Sequence, residues 1–297
     1  MSRQFPWLSD PNWNTMLDTG SGTSPSIAGL NNFRDREFIN TRGPSIVLAA
    51  SPTLLYALVP YYPFSGPIAQ FSIGGAEAVD VYHTRNDGGY LTDSGWESAV
   101  GAPAIKLVKW YNQAGTQNDA TQGTSLQALV GYDSRGWYTA PSDKFYDLAT
   151  QVSLNTVFGV IENAIENKAS ALFGSTVTRG DMFVYGANYY SFSFGEQYSS
   201  NVGHYWRDEE VAKGPGSIID DGSPPADWAD KHVICGQLST SNMDANKIFL
   251  GSSVASPLIN SAHLTCRALL GYGTALDEVT VRAPIQTALY DFYQVGV

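Results

Sequence analysis

Short runs with the composition of strands follow one another along most of this chain, at 68–73, 78–83, 105–111, 126–130, 156–161, 182–185, 189–194, 232–238, 247–251 and 265–270. Gly, Asn, Asp and Ser separate them. Within the runs the side chains alternate, as in Tyr190, Phe192 and Phe194 against Ser191 and Ser193. Short strands at this spacing are the pattern of an antiparallel β-sandwich rather than of βαβ units. The expected fold is therefore mainly β, with one core over residues 46–297.

Two segments read differently. Ser51-Pro52 followed by Leu54, Leu55, Tyr56, Ala57, Leu58 and Val59 combines a cap residue, a proline suited to a first turn and a terminating Pro60, which predicts a short buried helix near 52–59. At the other end, Pro284 opens a segment with apolar residues at Ile285, Leu289 and Phe292, which predicts a C-terminal helix packed on the sheet. Residues 1–45 carry a run of turn formers and small polar residues, Asp18 to Ser26, with no apolar period. They are expected to form an extended arm.

Charge narrows the partners. Hydrophobic residues make up 43% of the chain and charged residues 15%, against a usual charged share of about 25%, so a folded domain is expected. The net charge is −11 and no Lys/Arg cluster interrupts it. A phosphate backbone would be repelled, so nucleic acid is not an expected partner. The first residues lack the apolar run of a signal peptide. The most apolar stretch, 45–64, is broken by Pro52, Pro60 and Pro63, which argues against a membrane span. Cys235 and Cys266 lie far apart with no C-x-x-C, so the expectation is two buried free thiols, with a single bridge between neighbouring strands as the alternative.

The most distinctive segment is Trp110-Tyr111-Asn112-Gln113-Ala114-Gly115-Thr116-Gln117-Asn118-Asp119-Ala120-Thr121-Gln122. Physically it is a strand ending in aromatics that enters a turn whose Asn, Gly and Asp tolerate left-handed angles or bond their own amides. Trp110, Tyr111, Asn112, Gln113, Gly115, Asn118 and Asp119 are thus expected to form a structural turn. The segment resembles the W-Y-D-Q-S-G-x-G-N-D-A-T-Q turn of concanavalin A-like, laminin-G-like jelly rolls, which include the catalytic domain of family 54 α-L-arabinofuranosidases and related viral and phage domains. Upstream, Leu55-Tyr56, then Ser65 to Phe71 and Ala78 to Val81, are similar to that family's A-L-Y-S-x-Y-x-G-P-L-x-Q-V followed by T-D-I. Downstream, Arg267-Ala268-Leu269-Leu270-Gly271-Tyr272-Gly273 is similar to its late I-I-L-G-I-G-G strand. The resemblance covers 53–122 well and implies an antiparallel jelly roll.

It also implies where catalytic acids would stand. A retaining glycosidase needs two carboxyl groups about 5–5.5 Å apart. The family's acid after the late glycine pair corresponds to Thr274, and Asp277 and Glu278 are displaced from that place. The strand bearing the second acid corresponds to Ala171 to Thr176, which holds none, and Asp181 follows later. Glu162, Glu166 and Glu196 read as solvated surface. No catalytic residue is therefore assigned. His83, His204, His232 and His263 are scattered, and Asp87, Asp93, Asn118 and Asp119 lack the spacing of a calcium loop. No metal or cofactor is expected.

The leading expectation is a non-catalytic structural subunit of a virion, in capsid or tail, that contacts other protein subunits through its arm. A glycan-binding module is the alternative, with Tyr189, Tyr190, Tyr198, Tyr205 and Trp206 as candidate contact aromatics. A divergent hydrolase is the third.

Overall fold

Leu264–Tyr272 is buried on both faces, Arg267 included, and paired along both edges, and the rest of the chain is arranged around it. The computed structural model describes residues 50–59, 61, 64, 66–73, 77–84, 90–92, 105–115, 117–123, 127–133, 136–142, 144–163, 170–175, 182–185, 192–194, 202–207, 231–239, 242–250, 264–293 and 295. The arm expected over 1–45, and the subunit contacts expected through it, lie outside them.

Among the described residues, strands numbered β1 to β17 in chain order form two antiparallel sheets. The seven-stranded sheet runs β14 (Val202–Arg207), β15 (Lys231–Leu238), β10 (Thr156–Asn163), β17 (Leu264–Tyr272), β8 (Gly136–Ser142) and β7 (Val130–Asp133). Beside β8, β1 (Leu54–Ala57) pairs with the other half of the same β17 edge. The ten-stranded sheet runs β13 (Phe192–Phe194), β12 (Met182–Tyr185), β11 (Ser170–Gly174), β16 (Met243–Leu250), β9 (Lys144–Leu154), β6 (Ala120–Thr121), β5 (Ile105–Trp110), β2 (Ala69–Ile73), β3 (Val79–Thr84) and β4 (Tyr90–Thr92). The antiparallel sandwich read from strand spacing is the fold.

The helix expected near 52–59 is not there: Leu54–Ala57 is a strand, in register with Gly271 back to Ala268. Leu54, Tyr56 and Leu58 enter the core between the sheets, whereas Leu55, Ala57 and Val59 enter a second core on the outer face of the seven-stranded sheet. A segment buried on both faces is apolar at every position, so periodicity cannot distinguish it from a buried helix. Pairing to β17 then outweighs the local helix signals.

The second core is what the C-terminal helix covers. Helix α1 (Ala283–Tyr293) follows a π-helical turn, Glu278–Arg282, and packs against β15 and β10. Ile285, Leu289 and Tyr293 are its buried stripe, at i, i+4 and i+8. Phe292, expected in that stripe, is half-buried beside it, and Tyr293 takes its place. The Tyr61 and Tyr293 hydroxyls lie 3.0 Å apart, and Lys231 Nζ donates to the Tyr293 carbonyl at 3.1 Å. Beneath the helix, Arg282 lies over the Trp206 ring at 4.2 Å.

Cys235 and Cys266 are free and buried. Cys235 faces Phe158 and Cys266 faces Ile161, from strands on opposite sides of β10. Two strand spacings alone separate them by about 9–10 Å, beyond the roughly 7 Å that a disulfide spans between Cα atoms.

The helix contact yields a stability prediction. Leu289→Ala should destabilise the fold by about 2–5 kcal/mol, the cost of emptying a buried leucine site. Val279→Ala, on a residue 76% exposed in the adjoining π-helical turn, should stay within about 0.5 kcal/mol. Urea denaturation of the two variants checks the contrast.

Candidate functional site

At the end of β5, Trp110 turns into the sandwich core against the Tyr56 ring, with centroids 5.8 Å apart. The next residues leave the sheet and lie along the edge of β1 that β17 does not cover. Leu55 N donates to Asn112 Oδ1 at 2.8 Å, and Gln113 N donates to the Leu55 carbonyl at 2.7 Å. The Gln113 amide continues the ladder: Nε2 donates to the carbonyls of Ala57 and Val59 at 2.8 and 3.0 Å, and Oε1 accepts from Tyr61 N at 2.8 Å. Alternate residues of β1 and its extension are therefore served by two side chains and the Gln113 backbone amide instead of a strand. Gly115, at φ +82°, turns the chain back where a side chain would be strained.

Asn118 and Asp119 fasten the far side of the turn. The Asn118 amide exchanges two bonds with the Thr150 backbone, at 3.0 and 2.8 Å, and its carbonyl accepts from the Tyr56 hydroxyl. Asp119 accepts from Asn112 N at 3.1 Å and pairs with Lys109 at 2.9 Å. Every residue singled out in this turn, from Trp110 to Asp119, lies in one connected structure.

Tyr111 faces the opposite way, onto the outer surface of the ten-stranded sheet. Its hydroxyl donates to Asp80 Oδ1 at 2.7 Å, and Lys109 Nζ lies 4.3 Å from its ring centre. Burial, the bond to Asp80 and the charges of Asp80 and Asp119 push its phenol above the ordinary range. Around it, the pairings align one polar residue per strand. Gln70 stands opposite Asp80 and Lys109, Lys109 opposite Thr121, Thr121 opposite Asp147, and Asp147 opposite Lys247. Lys247 makes an ion pair with Asp147 and lies 4.4 Å over the Phe145 ring. The residues beside this row in sequence, including Ala69, Trp110, Ala120, Leu148 and Ile248, point into the core.

The positions implied for catalytic acids hold other chemistry. Thr274 is exposed and its carbonyl accepts from Thr156 Oγ1 at 3.2 Å. Asp277 caps the π-helical turn, accepting from Thr280 N at 2.8 Å and from its hydroxyl at 2.7 Å, and these bonds hold its carboxyl below the usual range. Ser175, which follows β11, is buried, and Glu162 is half-buried opposite Lys231. Thr176, Asp181, Glu166 and Glu196 lie outside the described residues.

Asp87, Asp93 and His263 also lie outside them, whereas His204 is exposed and His232 is buried. Among the described residues no cluster of His, Cys, Asp or Glu is placed to hold a metal. Of the candidate glycan aromatics, Tyr189, Tyr190 and Tyr198 fall outside the described residues. Tyr205 and Trp206 are 2% and 1% exposed, one in each core, so neither offers a ring face to a sugar. The surface ring that sequence reading missed is Phe145, and Tyr111, read there as a turn residue, also lies on the outer face of the ten-stranded sheet. Their signal was strand parity: Tyr111 shares a face with Lys109, and Phe145 with Asp147.

No protein-family model matches the chain, and no curated protein matches it. Among solved structures it is similar to a mutant GH54 α-L-arabinofuranosidase soaked with 4-nitrophenyl α-L-arabinofuranoside, at 15% identity and TM-score 0.51, over 83% of this chain and 65% of that one. A GH54 α-L-arabinofuranosidase soaked with a cyclic sulfate inhibitor is similar over the same shares, at 14% identity and TM-score 0.49. What is shared is the fold. The chain thus spans 65% of the length of these enzymes.

Two predictions follow from this geometry. Gln113→Leu keeps the bulk but strands the Ala57 and Val59 carbonyls and the Tyr61 amide. At about 1–3 kcal/mol for a buried group left unsatisfied, it should destabilise the fold by about 2–4 kcal/mol and speed hydrogen exchange at Tyr61. Tyr56 and Tyr146 are, like Tyr111, held protonated in the fold, with burial the largest cause. A folded-state pKa above the unfolded value stabilises below the ordinary phenol range and is lost above it. Alkaline unfolding should therefore begin above about pH 10, with tyrosinate absorbance and loss of sheet circular dichroism rising together. Ionisation of all 17 tyrosines while the sheet persists would contradict this.

Proposed function

We propose that this chain is a non-catalytic, glycan-binding β-sandwich whose ligand lies on the outer face of the ten-stranded sheet. The observation that carries the reading is the cross-strand row of Asp80, Gln70, Lys109, Thr121 and Asp147. Sugars present adjacent hydroxyl groups that give and accept hydrogen bonds together, and such a row offers both functions at fixed spacing. The side chains are already held by one another, through Tyr111 with Asp80, Lys109 with Asp119 and Asp147 with Lys247. Binding then has little side-chain freedom left to remove.

Hydrolysis has less support. Thr274 brings no carboxyl group to the position the family resemblance gives to an acid, and general acid catalysis needs a group that can protonate the leaving oxygen. The nearby Asp277 caps a helix at the surface. The solved structures similar in fold are enzymes acting on a carbohydrate, which makes sugar chemistry a reasonable first screen.

The test is a glycan array with the purified chain, beside an assay with 4-nitrophenyl α-L-arabinofuranoside. Retention of defined glycans without nitrophenol release is the expected result. Turnover abolished by replacing a single carboxylate would overturn the non-catalytic reading, and retention of no glycan at all would overturn the binding reading.

A further inference from the structure

From the register and charge of the same face, and resting on the glycan-binding reading, we infer that the ligand is an uncharged, extended oligosaccharide lying across the strands. Direction comes from the pairings. Asp80, Gln70, Lys109, Thr121 and Asp147 occupy successive strands β3, β2, β5, β6 and β9. Four steps of about 4.8 Å make a polar track of roughly 19 Å. Along a single strand the same face would repeat only every second residue. Across the strands it offers one hydrogen-bonding side chain per step.

The two surface rings reinforce that direction. β5 and β9 both pair antiparallel with β6, so they run the same way. Tyr111 lies two residues after Lys109, and Phe145 lies two residues before Asp147. The rings therefore flank the track from opposite sides. Between them Thr121 is short and exposed, a low point over which a chain can pass from Lys109 to Asp147.

Charge selects the class. Among the described residues, Lys106, Lys109 and the buried Lys247 share this side of the sheet with Asp80, Asp119, Asp147 and Asp244, and two pairs of opposite sign are closed ion pairs. These residues leave no surplus of positive charge for sulfate or uronate groups. The net charge of −11 opposes a polyanion at longer range. Hydroxyl groups fit the face as it stands.

The experiment is calorimetric titration of the full chain with uncharged xylo-, gluco- and arabino-oligosaccharides of two to six units, alongside a heparin hexasaccharide. For at least one uncharged series, affinity should climb with length, level near four or five units, and exceed that for heparin. Thr121→Arg, which fills the low point, should weaken the longest ligand at least about tenfold while leaving thermal stability unchanged. Val279→Arg, in the π-helical turn on the other sheet's side, should bind like the parent. Equal affinity for two and six units, preference for heparin, or indifference to Thr121→Arg would overturn this inference while leaving glycan binding intact. Binding of no oligosaccharide of any length or charge would remove the glycan-binding reading with it.

Discussion

A strand buried on both faces can satisfy its backbone only along its edges, and β1 has a strand on just one of them. The other edge is closed by the side chains of Asn112 and Gln113 and the amide of Gln113. Everything around β1 presupposes that closure. Its inner residues fill the space between the sheets and its outer residues fill the floor under α1, so water cannot replace a missing partner at either face. An amide side chain is suited to the task because it carries a donor and an acceptor in one plane, as a peptide group does. Gln113 uses both, and Asn118 repeats the device against Thr150 on the neighbouring sheet.

The same turn also sets the outer surface of the ten-stranded sheet. Asp119 is placed by its bond to the Asn112 amide, and from there it holds Lys109. Lys109 in turn lies over Tyr111, whose hydroxyl is fixed on Asp80. One short segment thus locks the inside of the fold with amides and sets the outside with charges. The two jobs fall to alternate directions of the same backbone, which is the ordinary consequence of strand parity carried a few residues beyond the strand.

How much of this could be read in the sequence follows from the same physics. Turn residues such as Gly115 and Asn118 are legible because their roles are local, and β2, β3, β5, β10, β12, β13, β15, β16 and β17 are legible as alternation or as apolar runs, whereas β4, β8 and β14 are not. β9 escaped notice because Lys144–Leu154 has few residues on its core face, with Asp147, Ala149, Thr150, Gln151 and Ser153 exposed to solvent. β1 was misread as a helix because a fully buried segment has no period to show. Tyr205 and Trp206 looked like candidate sugar platforms because aromatics crowd that region, yet they sit on opposite faces of β14 and enter different cores. The polar row is invisible to any single-segment reading. It exists only in the pairing of five strands, from 70 to 147 in the chain, and no local pattern encodes register between them.

Sharing a sandwich with a glycosidase does not carry the enzyme's chemistry, and the π-helical turn shows how the two can come apart. In this chain the end of β17 is occupied by structural bonds. The Gly273 amide and carbonyl engage Thr53 and Asn242, and the Thr274 carbonyl engages Thr156. Beyond them Asp277 turns to the helix that follows, where a lowered pKa keeps it charged and suited to capping. A general acid at neutral pH needs the opposite shift, upward, through burial or a neighbouring negative charge. An exposed cap cannot supply that, whatever its distance from the glycine pair. The feature that stabilises the C-terminal helix is therefore the one that keeps this carboxylate charged and exposed.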